Sequence, residues 1–295
     1  MENKRILIIG GTGTLGKELI RNLYRKNKIS VLSRDEHKQA LLKKEYPFIK
    51  FYLGDIRNLN NHDYAFHNID VVFHVAALKH VDILENDPLE SIKTNVLGSI
   101  NIAEACIRNN VKYCMFSSTD KAVYPINAYG MSKGLSEKIF LDYNKKQSKT
   151  LFKVYRWPNV IGSNGSALLF FIDLIKSNKT IPITDARMSR FWLKTQDAIN
   201  FVLDTIENNN FCKDKVLIYP HLKAAPLLEV IGAISYLLKK DYKYNVIGLR
   251  AGEKLHEDMC FENETGRVIS SNNCDQYTKE ELLELLKDLV LCNQS

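Results

Sequence analysis

Five side chains that can donate, accept or hold protons fall within a short stretch of the 295-residue chain. Together they supply a hydroxyl, a carboxylate, two amines and a phenol, which is more than the oxidation of an alcohol requires. The stretch therefore predicts chemistry with more than one proton transfer. The five candidate catalytic residues are Thr119, Asp120, Lys121, Tyr129 and Lys133.

Tyr129 and Lys133 stand four residues apart in a segment, 129–143, of good helix formers without proline. Both side chains therefore project from one face of a predicted helix. A nearby ammonium group lowers the pKa of a phenol from its ordinary value of about 10, which lets a tyrosine take a proton from a substrate hydroxyl near neutral pH. Such pairs are more often surface decoration, so this interpretation depends on the elements that surround the pair.

A glycine-rich turn lies between a predicted buried strand, Arg5–Ile9, and a predicted helix, Lys17–Lys26. Glycines at this spacing permit a tight turn, close approach of the backbone to a pyrophosphate and close packing of the helix on the strand. The positive end of the helix then faces the phosphates. The turn therefore predicts a dinucleotide site that includes Gly10, Thr12, Gly13, Thr14, Leu15 and Gly16.

The second predicted strand, Ile29–Ser33, indicates which dinucleotide is bound. An acidic residue at its end would suit the ribose 2′-hydroxyl of NAD, but Ser33 is followed by Arg34. A guanidinium suits the 2′-phosphate of NADP, and Lys38 is a second contact one helical turn further on. Asp35 keeps NAD as the alternative. We therefore predict NADP, bound by Ser33, Arg34 and Lys38.

The remaining pattern of strands and helices predicts an α/β fold, a Rossmann-like doubly wound parallel sheet with a smaller C-terminal α/β substrate domain. The strand before Thr119 would deliver the candidate catalytic residues to the carboxyl edge of the sheet, where ligands bind. We expect a dinucleotide-binding domain of residues 1–160 that also receives 187–212, and a substrate-binding domain of 161–186 and 213–295. The other predicted strands are 49–53, 71–75, 113–117 and 152–155, and the other predicted helices are 90–109, 226–239 and 279–291.

Composition excludes several other classes of protein. The net charge of +7 is spread along the chain without a nucleic-acid-binding motif, so an anionic small substrate explains it better than nucleic acid. The six cysteines lack metal-ligand spacing, which predicts reduced packing residues and no metal site. No apolar run reaches the ~18 residues of a membrane span, and no signal peptide is evident. We therefore expect a cytoplasmic protein without membrane insertion.

Several blocks of sequence together resemble the extended short-chain dehydrogenase/reductases. Within that family the chain is similar to the nucleotide-sugar 4,6-dehydratases of polysaccharide biosynthesis, and closest to the inverting UDP-N-acetylglucosamine 4,6-dehydratases. The resemblance covers nearly the whole chain. The matching blocks are 10–16, 33–35, 54–57, 76–81, 93–95, 118–121, 125–129, 182–185, 188–192 and 252–257.

The resemblance implies a mechanism and divides the candidate residues between its steps. The bound cofactor would take hydride from C4 of the sugar while Tyr129 removes the proton of the C4 hydroxyl. Lys133 would hold the nicotinamide ribose, and Thr119 would hydrogen-bond O4. The ketone makes the C5 proton acidic; Asp120 and Lys121 occupy the positions of the acid and base that remove this proton and protonate the leaving 6-hydroxyl. Hydride would then return to C6.

The assignment of Asp120 and Lys121 makes a structural demand. Adjacent residues of a strand point to opposite faces, so the backbone must turn after Thr119 for both side chains to reach the sugar. A lysine with its ordinary pKa of about 10.4 is charged at pH 7 and is a poor base. If Asp120 carries the proton destined for the leaving oxygen, burial can make Lys121 a better base, and the pair works as one titrating unit.

The resemblance also implies further binding residues, each of which could instead be a solvated charge or a packing residue. Arginines suit the diphosphate of a UDP-sugar because they form bidentate hydrogen bonds. Asn95 has a role in helix packing as its alternative. For the cofactor, the further residues are Asp55, Ile56, Ala76 and Lys79, together with Tyr129 and Lys133; for the substrate, they are Lys79, Asn95, Asn159, Arg187, Arg190, Arg250 and Glu253.

Three other functions remain open. A retaining 4,6-dehydratase resembles this family, but such relatives often carry an N-terminal membrane region and replace the tyrosine by methionine. A nucleotide-sugar 4-epimerase would use Thr119, Tyr129 and Lys133 without needing Asp120 and Lys121. A non-catalytic NADP-binding protein would have lost the tyrosine and the lysine. The resemblance further implies a homo-oligomer.

Overall fold

The structure is a computed structural model that describes residues 1–147, 149–163, 165–208 and 215–292. Residues 209–212, which were predicted to belong to the first domain, lie outside the described residues, and Cys212 is one of them. The strands are β1 (Arg5–Ile9), β2 (Lys28–Ser33), β3 (Lys50–Leu53), β4 (Val71–His74), β5 (Tyr113–Thr119), β6 (Leu151–Trp157), β7 (Asn159–Val160), β8 (Ile181–Ile183), β9 (Ser189–Leu193), β10 (Leu217–Ile218), β11 (Lys223–Pro226) and β12 (Tyr244–Val246).

The helices follow the strands in the alternation that the sequence predicted. They are α1 (Thr14–Leu23), α2 (Glu36–Glu45), α3 (Val81–Asn86), α4 (Pro88–Ser91), α5 (Gly98–Arg108), α6 (Ala128–Lys146), α7 (Ala167–Lys176), α8 (Thr195–Glu207), α9 (Leu227–Leu238), α10 (Glu262–Thr265) and α11 (Lys279–Cys292). Short 3₁₀ segments cover Asn60–Phe66 and Asp120–Ala122, and a π-helical turn, Ile92–Leu97, joins α4 to α5.

Seven strands form one sheet in the order β10-β6-β5-β4-β1-β2-β3. Strands β1, β2, β3, β4 and β5 pair in parallel, as does β10 with β6. The apolar residues of β1, Ile6–Ile9, are fully buried, because helices cover both faces of a doubly wound sheet. The predicted parallel, Rossmann-like fold is therefore confirmed, and the strand order reverses between β1 and β4, where such sheets bind ligands.

The predicted helix 90–109 differs from the structure in its interior. The helical path runs from Pro88 to Arg108, but a wider π turn occupies Ile92–Leu97 in its middle. Single π turns inside helices often lie at functional sites, and apolar periodicity in the sequence does not reveal them. This turn carries Thr94 and Asn95.

The chain divides into two compact units, with bounds that differ from the predicted domains. The first unit contains 1–156 and 199–218, and the second contains 157–198 and 219–295. Residues 187–198 were expected in the first domain but belong to the second unit, because β9 pairs with β11 and β7 there. Residues 157–160 join the second unit for the same reason, since β7 is a neighbour of β9, whereas 215–218 belong to the first unit through β10.

The second unit has its own apolar core, which α7, α9 and α11 form with β8 and β9. Its strands make a three-stranded sheet, β11-β9-β7, and a two-stranded sheet, β12-β8. No helix in the described ranges is both long enough and apolar enough to cross a membrane.

Candidate active site

A cavity of about 320 Å³ opens at the carboxyl ends of β1, β2 and β4, where the strand order reverses. Its walls bring together most of the residues predicted for the cofactor, and its shape follows from the glycine turn after β1. The lining includes Gly10, Thr12, Gly13, Ser33, Arg34, Lys38, Asp55, Ile56 and Ala76 from the predicted set, together with Asp35 and Thr94.

The glycine turn packs as its spacing predicted. Gly10 has a φ of +85°, and a side chain there would collide with the backbone of Ala76. A Cβ atom on Gly16 would lie 2.5 Å from the carbonyl oxygen of Gly10, so helix α1 can approach β1 only because Gly16 lacks one. Helix α1 begins at Thr14, with Gly13 as its N-cap, earlier than the predicted Lys17. The positive end of the helix therefore lies at the turn itself.

Two cations line the cavity after β2, Arg34 directly after the strand and Lys38 in the first turn of α2. Arg34 is about half exposed and approaches Asp55 only loosely, with its Nη1 4.0 Å from Oδ2. Asp35 accepts a hydrogen bond from the backbone N–H of Lys38 at 2.9 Å and caps α2, and its other oxygen contacts the Lys38 ammonium at 2.9 Å. The Lys38 backbone N–H and ammonium together lower the pKa of Asp35. Asp55 is held by Arg57, which donates to it at 2.6 and 2.9 Å.

Thr94 is a lining residue that the sequence analysis did not select. Its side chain is buried, and its Oγ1 has no hydrogen-bond partner among the described residues. An unsatisfied buried hydroxyl is costly to a fold, so its position at the cavity fits a polar group of a bound ligand. The block Lys93-Thr94-Asn95 was part of the resemblance, but its sequence did not indicate that Thr94 lines the cavity. In the structure, Thr94 lies in the π turn and lines the cavity.

Strand β5 ends at Thr119 and passes directly into the 3₁₀ turn Asp120–Ala122, which is the backbone turn that the paired roles of Asp120 and Lys121 require. Asp120 is 1% exposed. Its Oδ1 accepts hydrogen bonds from Thr119 Oγ1 at 3.0 Å, from the Lys121 backbone N–H at 2.8 Å and from Lys121 Nζ at 3.1 Å. Its Oδ2 is buried and has no hydrogen-bond partner in the described part of the chain. The carboxyl group is therefore bonded on one oxygen only.

Helix α6 packs its first turn against the 3₁₀ turn. A side chain on Gly130 would overlap the carbonyl oxygen of Lys121, so the absence of a Cβ atom there lets the two elements touch. Asn127 caps the helix by accepting a hydrogen bond from the Gly130 backbone N–H at 2.7 Å. Tyr129, which is partly exposed, lies in this first turn of the helix, next in sequence to Gly130.

Lys133 lies one helical turn further along α6 and is 2% exposed. Its ammonium stands 3.9 Å from the centre of the Phe116 ring. Burial lowers the pKa of Lys133 to about 7, and the charge of Glu137 acts in the opposite direction. His74 is also buried nearby, and burial together with the Lys133 charge holds its pKa well below the ordinary range. Lys133 is thus a buried amine beside a neutral histidine.

Asn95 was predicted to bind substrate, but the structure uses its polar groups inside the protein. Its Oδ1 accepts from the Leu78 backbone N–H at 2.9 Å, and its Nδ2 donates to the Leu78 carbonyl at 3.0 Å and to Ser132 Oγ at 3.0 Å. The side chain is 1% exposed. Asn95 therefore joins the loop after β4 to helix α6, which is the packing role that the sequence left as its alternative.

Arg190 differs from its predicted role for the same reason. Its guanidinium is buried and donates to the backbone carbonyls of Ser189 at 2.7 Å, Leu255 at 2.9 Å and Lys254 at 2.8 Å. It also lies 4.0 Å from Glu253. These contacts tie the segment around Leu255 to β9, so Arg190 holds the second unit together.

The other predicted substrate residues belong to different elements of the two units. Arg187 is exposed and forms a two-pronged pair with Asp185, donating at 3.0 and 2.7 Å. Arg250 is exposed, and its backbone N–H lies 3.4 Å from Glu253 Oε2. Asn159 is half-buried in β7 of the second unit, whereas Lys79 is exposed in the loop after β4 of the first unit.

A larger, open groove of about 930 Å³ lies along α9 and α11 in the second unit, but none of the predicted site residues lines it. In the ranges that the structure describes, no group of three or more histidine, cysteine or acidic residues could hold a metal ion.

Sequence comparison extends the resemblance to curated proteins. The chain matches the family model described as polysaccharide biosynthesis protein over residues 6–278. It is 41% identical over 264 residues to the inverting UDP-N-acetylglucosamine 4,6-dehydratase of Campylobacter jejuni subsp. jejuni serotype O:2, covering 87% of this chain and 77% of that one. It is 37% identical over 282 residues to the UDP-glucose 4-epimerase of Rickettsia bellii, covering 92% and 82%.

Solved structures share the whole fold. Pen from Bacillus thuringiensis superposes with a TM-score of 0.90 at 32% identity, covering 97% of this chain and 98% of that one. DesIV, a dTDP-glucose 4,6-dehydratase from Streptomyces venezuelae solved with NAD bound, has a TM-score of 0.80 at 19% identity and covers 96% of both chains, which is a likeness of fold. The chain belongs to the polysaccharide biosynthesis family, among the nucleotide-sugar dehydratases and epimerases of the extended short-chain dehydrogenase/reductases.

Proposed function

We propose that this protein is an NADP-dependent, inverting 4,6-dehydratase of UDP-N-acetylglucosamine. The observation that carries the proposal is the turn after β5. There the buried Asp120 keeps one carboxyl oxygen without a partner, beside the Lys121 amine and against the helix of Tyr129. Oxidation at C4 needs only one base, whereas loss of water across C5 and C6 needs a further base and an acid. The turn supplies both.

The first unit is the cofactor domain of this proposal. The glycine turn, the start of α1 and the unpartnered hydroxyl of Thr94 around one cavity fit a dinucleotide. When bound, the nicotinamide supplies the oxidation and the later reduction by exchanging hydride with the sugar. Arg34, which approaches Asp55 only loosely, gives the cavity the positive charge that a 2′-phosphate requires, because the charge of Asp35 is engaged by Lys38 and by the cap of α2. This arrangement supports NADP over NAD.

Tyr129 is the base of the oxidation and takes the proton of the C4 hydroxyl. Thr119 Oγ1 donates to Asp120 Oδ1 at 3.0 Å and accepts from the Lys121 backbone N–H at 3.4 Å. Its rotatable hydroxyl would turn to donate to O4 of the sugar, because the one proton of that sugar hydroxyl goes to Tyr129. Lys133 lies one helical turn after Tyr129. When the Lys133 amine is charged, it stabilises the phenolate of Tyr129.

Lys121 and Asp120 carry out the elimination. Once C4 is a ketone, the C5 proton is acidic, and the Lys121 amine takes it. Asp120 gives a proton to the 6-hydroxyl, which leaves as water, and a C5–C6 double bond forms. A proton from solvent on the face of C5 opposite Lys121, together with reduction at C6, completes the 6-deoxy-4-keto sugar with inverted C5. Tyr129 and Lys121 then release the protons that they took, and Asp120 is protonated again. The unpartnered Oδ2 of Asp120 is the atom available to deliver the proton.

The second unit is the substrate domain of this proposal. Its exposed arginines, Arg187 and Arg250, are suited to the diphosphate of a UDP-sugar through bidentate hydrogen bonds. The match to the dehydratase of Campylobacter jejuni supports UDP-N-acetylglucosamine as the substrate.

The test is to identify the product formed from UDP-N-acetylglucosamine in deuterated water. The proposal predicts a UDP-6-deoxy-4-keto-N-acetylhexosamine that carries deuterium at C5 with inverted configuration. The Tyr129→Phe variant is the matched control and should form almost none. Recovery of a sugar that has only changed configuration at C4, without deuterium at C5, would reject the dehydratase.

A nucleotide-sugar 4-epimerase is the second candidate, because the Rickettsia bellii relative carries that name. An epimerase needs Thr119, Tyr129 and Lys133 but has no elimination step. Replacement of Lys121 by alanine therefore separates the two functions, since it should leave an epimerase active and stop a dehydratase. A homo-oligomer stays a prediction, to be measured as the native mass in solution.

A further inference from the structure

Glu137 is a buried carboxylate on helix α6 that none of the steps above uses. Its Oε1 accepts a hydrogen bond from Ser118 Oγ at 2.5 Å, and Arg156 donates to its two oxygens at 3.1 and 2.7 Å. Glu137 and Arg156 are 4% and 1% exposed. One side chain therefore links α6 to the end of β5 and to β6 inside the first unit.

Its place along the helix relates it to the proposed catalytic groups. Tyr129, Lys133 and Glu137 follow one another at intervals of four residues, so they form a single stripe on α6. Ser118, at the other end of the short hydrogen bond, immediately precedes Thr119 in β5. The same carboxylate thus touches the strand that carries Thr119 and lies one turn from the amine that serves Tyr129.

The surroundings of Lys133 contain few other charges. Strand β5 contributes the apolar Phe116 ring, and β4 contributes the neutral His74. The 3₁₀ turn packed against α6 carries Asp120 and Lys121, which pair with each other. Burial lowers the pKa of Lys133 to about 7, and the Glu137 carboxylate is the charge that raises it.

We propose that Glu137 is a positioning residue that favours the charged form of the Lys133 amine and holds the Thr119 end of β5 against the catalytic helix. This inference rests on the proposed roles of Tyr129 and Lys133. A buried carboxylate without partners would be expensive, and Arg156 together with Ser118 satisfies it. With Glu137 in place, Lys133 titrates near neutrality; without it, burial would act unopposed, and the amine would be mostly neutral at pH 7.

A direct test measures the titration of Lys133 without any substrate. Protein labelled with ¹³C at the lysine ε carbons is titrated by NMR, and the Lys133 signal is identified by its absence in Lys133→Met. The Glu137→Gln variant leaves Arg156 buried and uncompensated and can fail to fold, so the double variant Glu137→Gln/Arg156→Met is titrated beside it. The midpoint of Lys133 should fall by about one pH unit in Glu137→Gln, because a nearby opposite charge has been removed, and by less in the double variant, because the like charge of Arg156 is removed as well.

The matched control is Asp142→Asn, which removes a negative charge from the same helix. Asp142 is about half exposed and pairs with Lys146 at 2.6 Å on the surface, so the Lys133 midpoint should not move. An unchanged Lys133 midpoint in the folded double variant would overturn the proposal. Since this measurement needs no turnover, it stands apart from the test of the dehydratase itself.

The pH dependence of turnover adds the functional readout. If the wild type forms the predicted product, the ascending limb of the kcat/KM profile should move to higher pH by about one unit in the double variant, because a neutral Lys133 no longer lowers the pKa of a phenol beside it. The Ser118→Ala variant keeps the carboxylate and should retain the wild-type profile with a lower kcat. A double variant that loses thermal stability but keeps the wild-type pH profile of kcat/KM would show that Glu137 has only a structural role.

Discussion

The turn at Asp120 and the turn at Asp185 each place a cation shortly after an aspartate, and the two carboxylates are bonded differently. In the first unit, Asp120 is buried and uses only Oδ1, which accepts three hydrogen bonds from Thr119 and Lys121. In the second unit, Asp185 uses both oxygens, because Arg187 donates to them through its backbone N–H and its guanidinium at 2.7 to 3.0 Å.

The difference separates groups that are available for chemistry from groups that hold the fold. Asp120 Oδ2 and Thr94 Oγ1 are buried atoms without a partner among the described residues, at places where a substrate or a cofactor would complete them. Asp185, Asn95 and Arg190 have polar atoms that the protein itself satisfies. We therefore expect substitutions of Asp120 and Thr94 to reduce turnover or binding. Substitutions of the residues whose polar atoms the protein satisfies should instead reduce stability.

The largest effect should come from Asp120→Asn. The amide cannot deliver a proton to the leaving oxygen, so kcat should fall by at least about 100-fold, the usual contribution of a general acid. Steady-state formation of the 4-keto product measures the loss. Asp185→Asn is the paired variant and should change kcat by less than about 3-fold, because its carboxylate holds Arg187 and takes no part in the proton transfers; any effect through Arg187 and the diphosphate should appear in KM. Equal losses of kcat in the two variants would contradict the distinction between Asp120 and Asp185.

Arg34→Met should weaken NADP binding by about 10- to 100-fold, the value of a charge-assisted pair with a 2′-phosphate. Affinity for NAD should change little, since NAD lacks that phosphate. Calorimetric titration of both cofactors measures the effect. Arg21→Met, an exposed arginine on α1 that pairs with Glu18, serves as the control. Equal weakening of both cofactors would contradict the assignment of NADP.

Arg190→Lys should lower the free energy of unfolding by about 1–3 kcal/mol, because an ammonium cannot reproduce the planar fork that reaches three backbone carbonyls. Denaturant titration measures the loss. The exposed Arg187→Lys should change stability by less than about 0.5 kcal/mol. A raised KM with unchanged stability would instead indicate that Arg190 binds the substrate.

Thr94→Val tests the unpartnered hydroxyl. Without cofactor, the variant should be as stable as the wild type or slightly more stable, since the buried hydroxyl has no partner to lose. Binding of the dinucleotide should weaken by about 2- to 10-fold, the value of one neutral hydrogen bond. Melting temperatures with and without cofactor measure both effects. A destabilised apoprotein with unchanged cofactor affinity would contradict the placement.

The smallest effect concerns pH. Hydrogen bonds from Arg187 lower the pKa of Asp185 from 3.8 to about 2. A depressed carboxyl pKa stabilises the fold above the unfolded value and loses that contribution as pH falls through the folded value. The melting temperature of Asp185→Asn should therefore lie slightly below that of the wild type at pH 6 and converge with it as pH approaches about 2. A difference that persists in acid would point to packing.

Local sequence signals predicted the parallel sheet and the order of its elements well. Apolar strands separated by helices leave few arrangements open, and the glycine turn after β1 indicated the edge of the sheet at which the cavity opens. The domain boundaries were harder to predict because they depend on distant pairing. Residues 187–198 belong to the second unit since β9 pairs with β11, which lies more than twenty residues further along the chain.

Residue types predicted the candidate site less completely than they predicted the fold. Asn95 and Arg190 matched the pattern of binding residues, but whether an amide or a guanidinium faces a ligand depends on which backbone carbonyls stand beside it. Thr94 and Glu137 were missed for the converse reason. A threonine in a helix and a glutamate two turns after a tyrosine are ordinary in sequence, and only their buried contacts distinguish them.

The most direct test of the division of labour is the exchange of the C5 proton in Asp120→Asn. UDP-N-acetylglucosamine is incubated with this variant in deuterated water, and the recovered sugar is examined by NMR. Our account predicts deuterium at C5 without a 6-deoxy product, because Tyr129 still permits oxidation and Lys121 still removes the C5 proton, while no acid assists the leaving hydroxyl. Formation of the 6-deoxy product at the wild-type rate would contradict it.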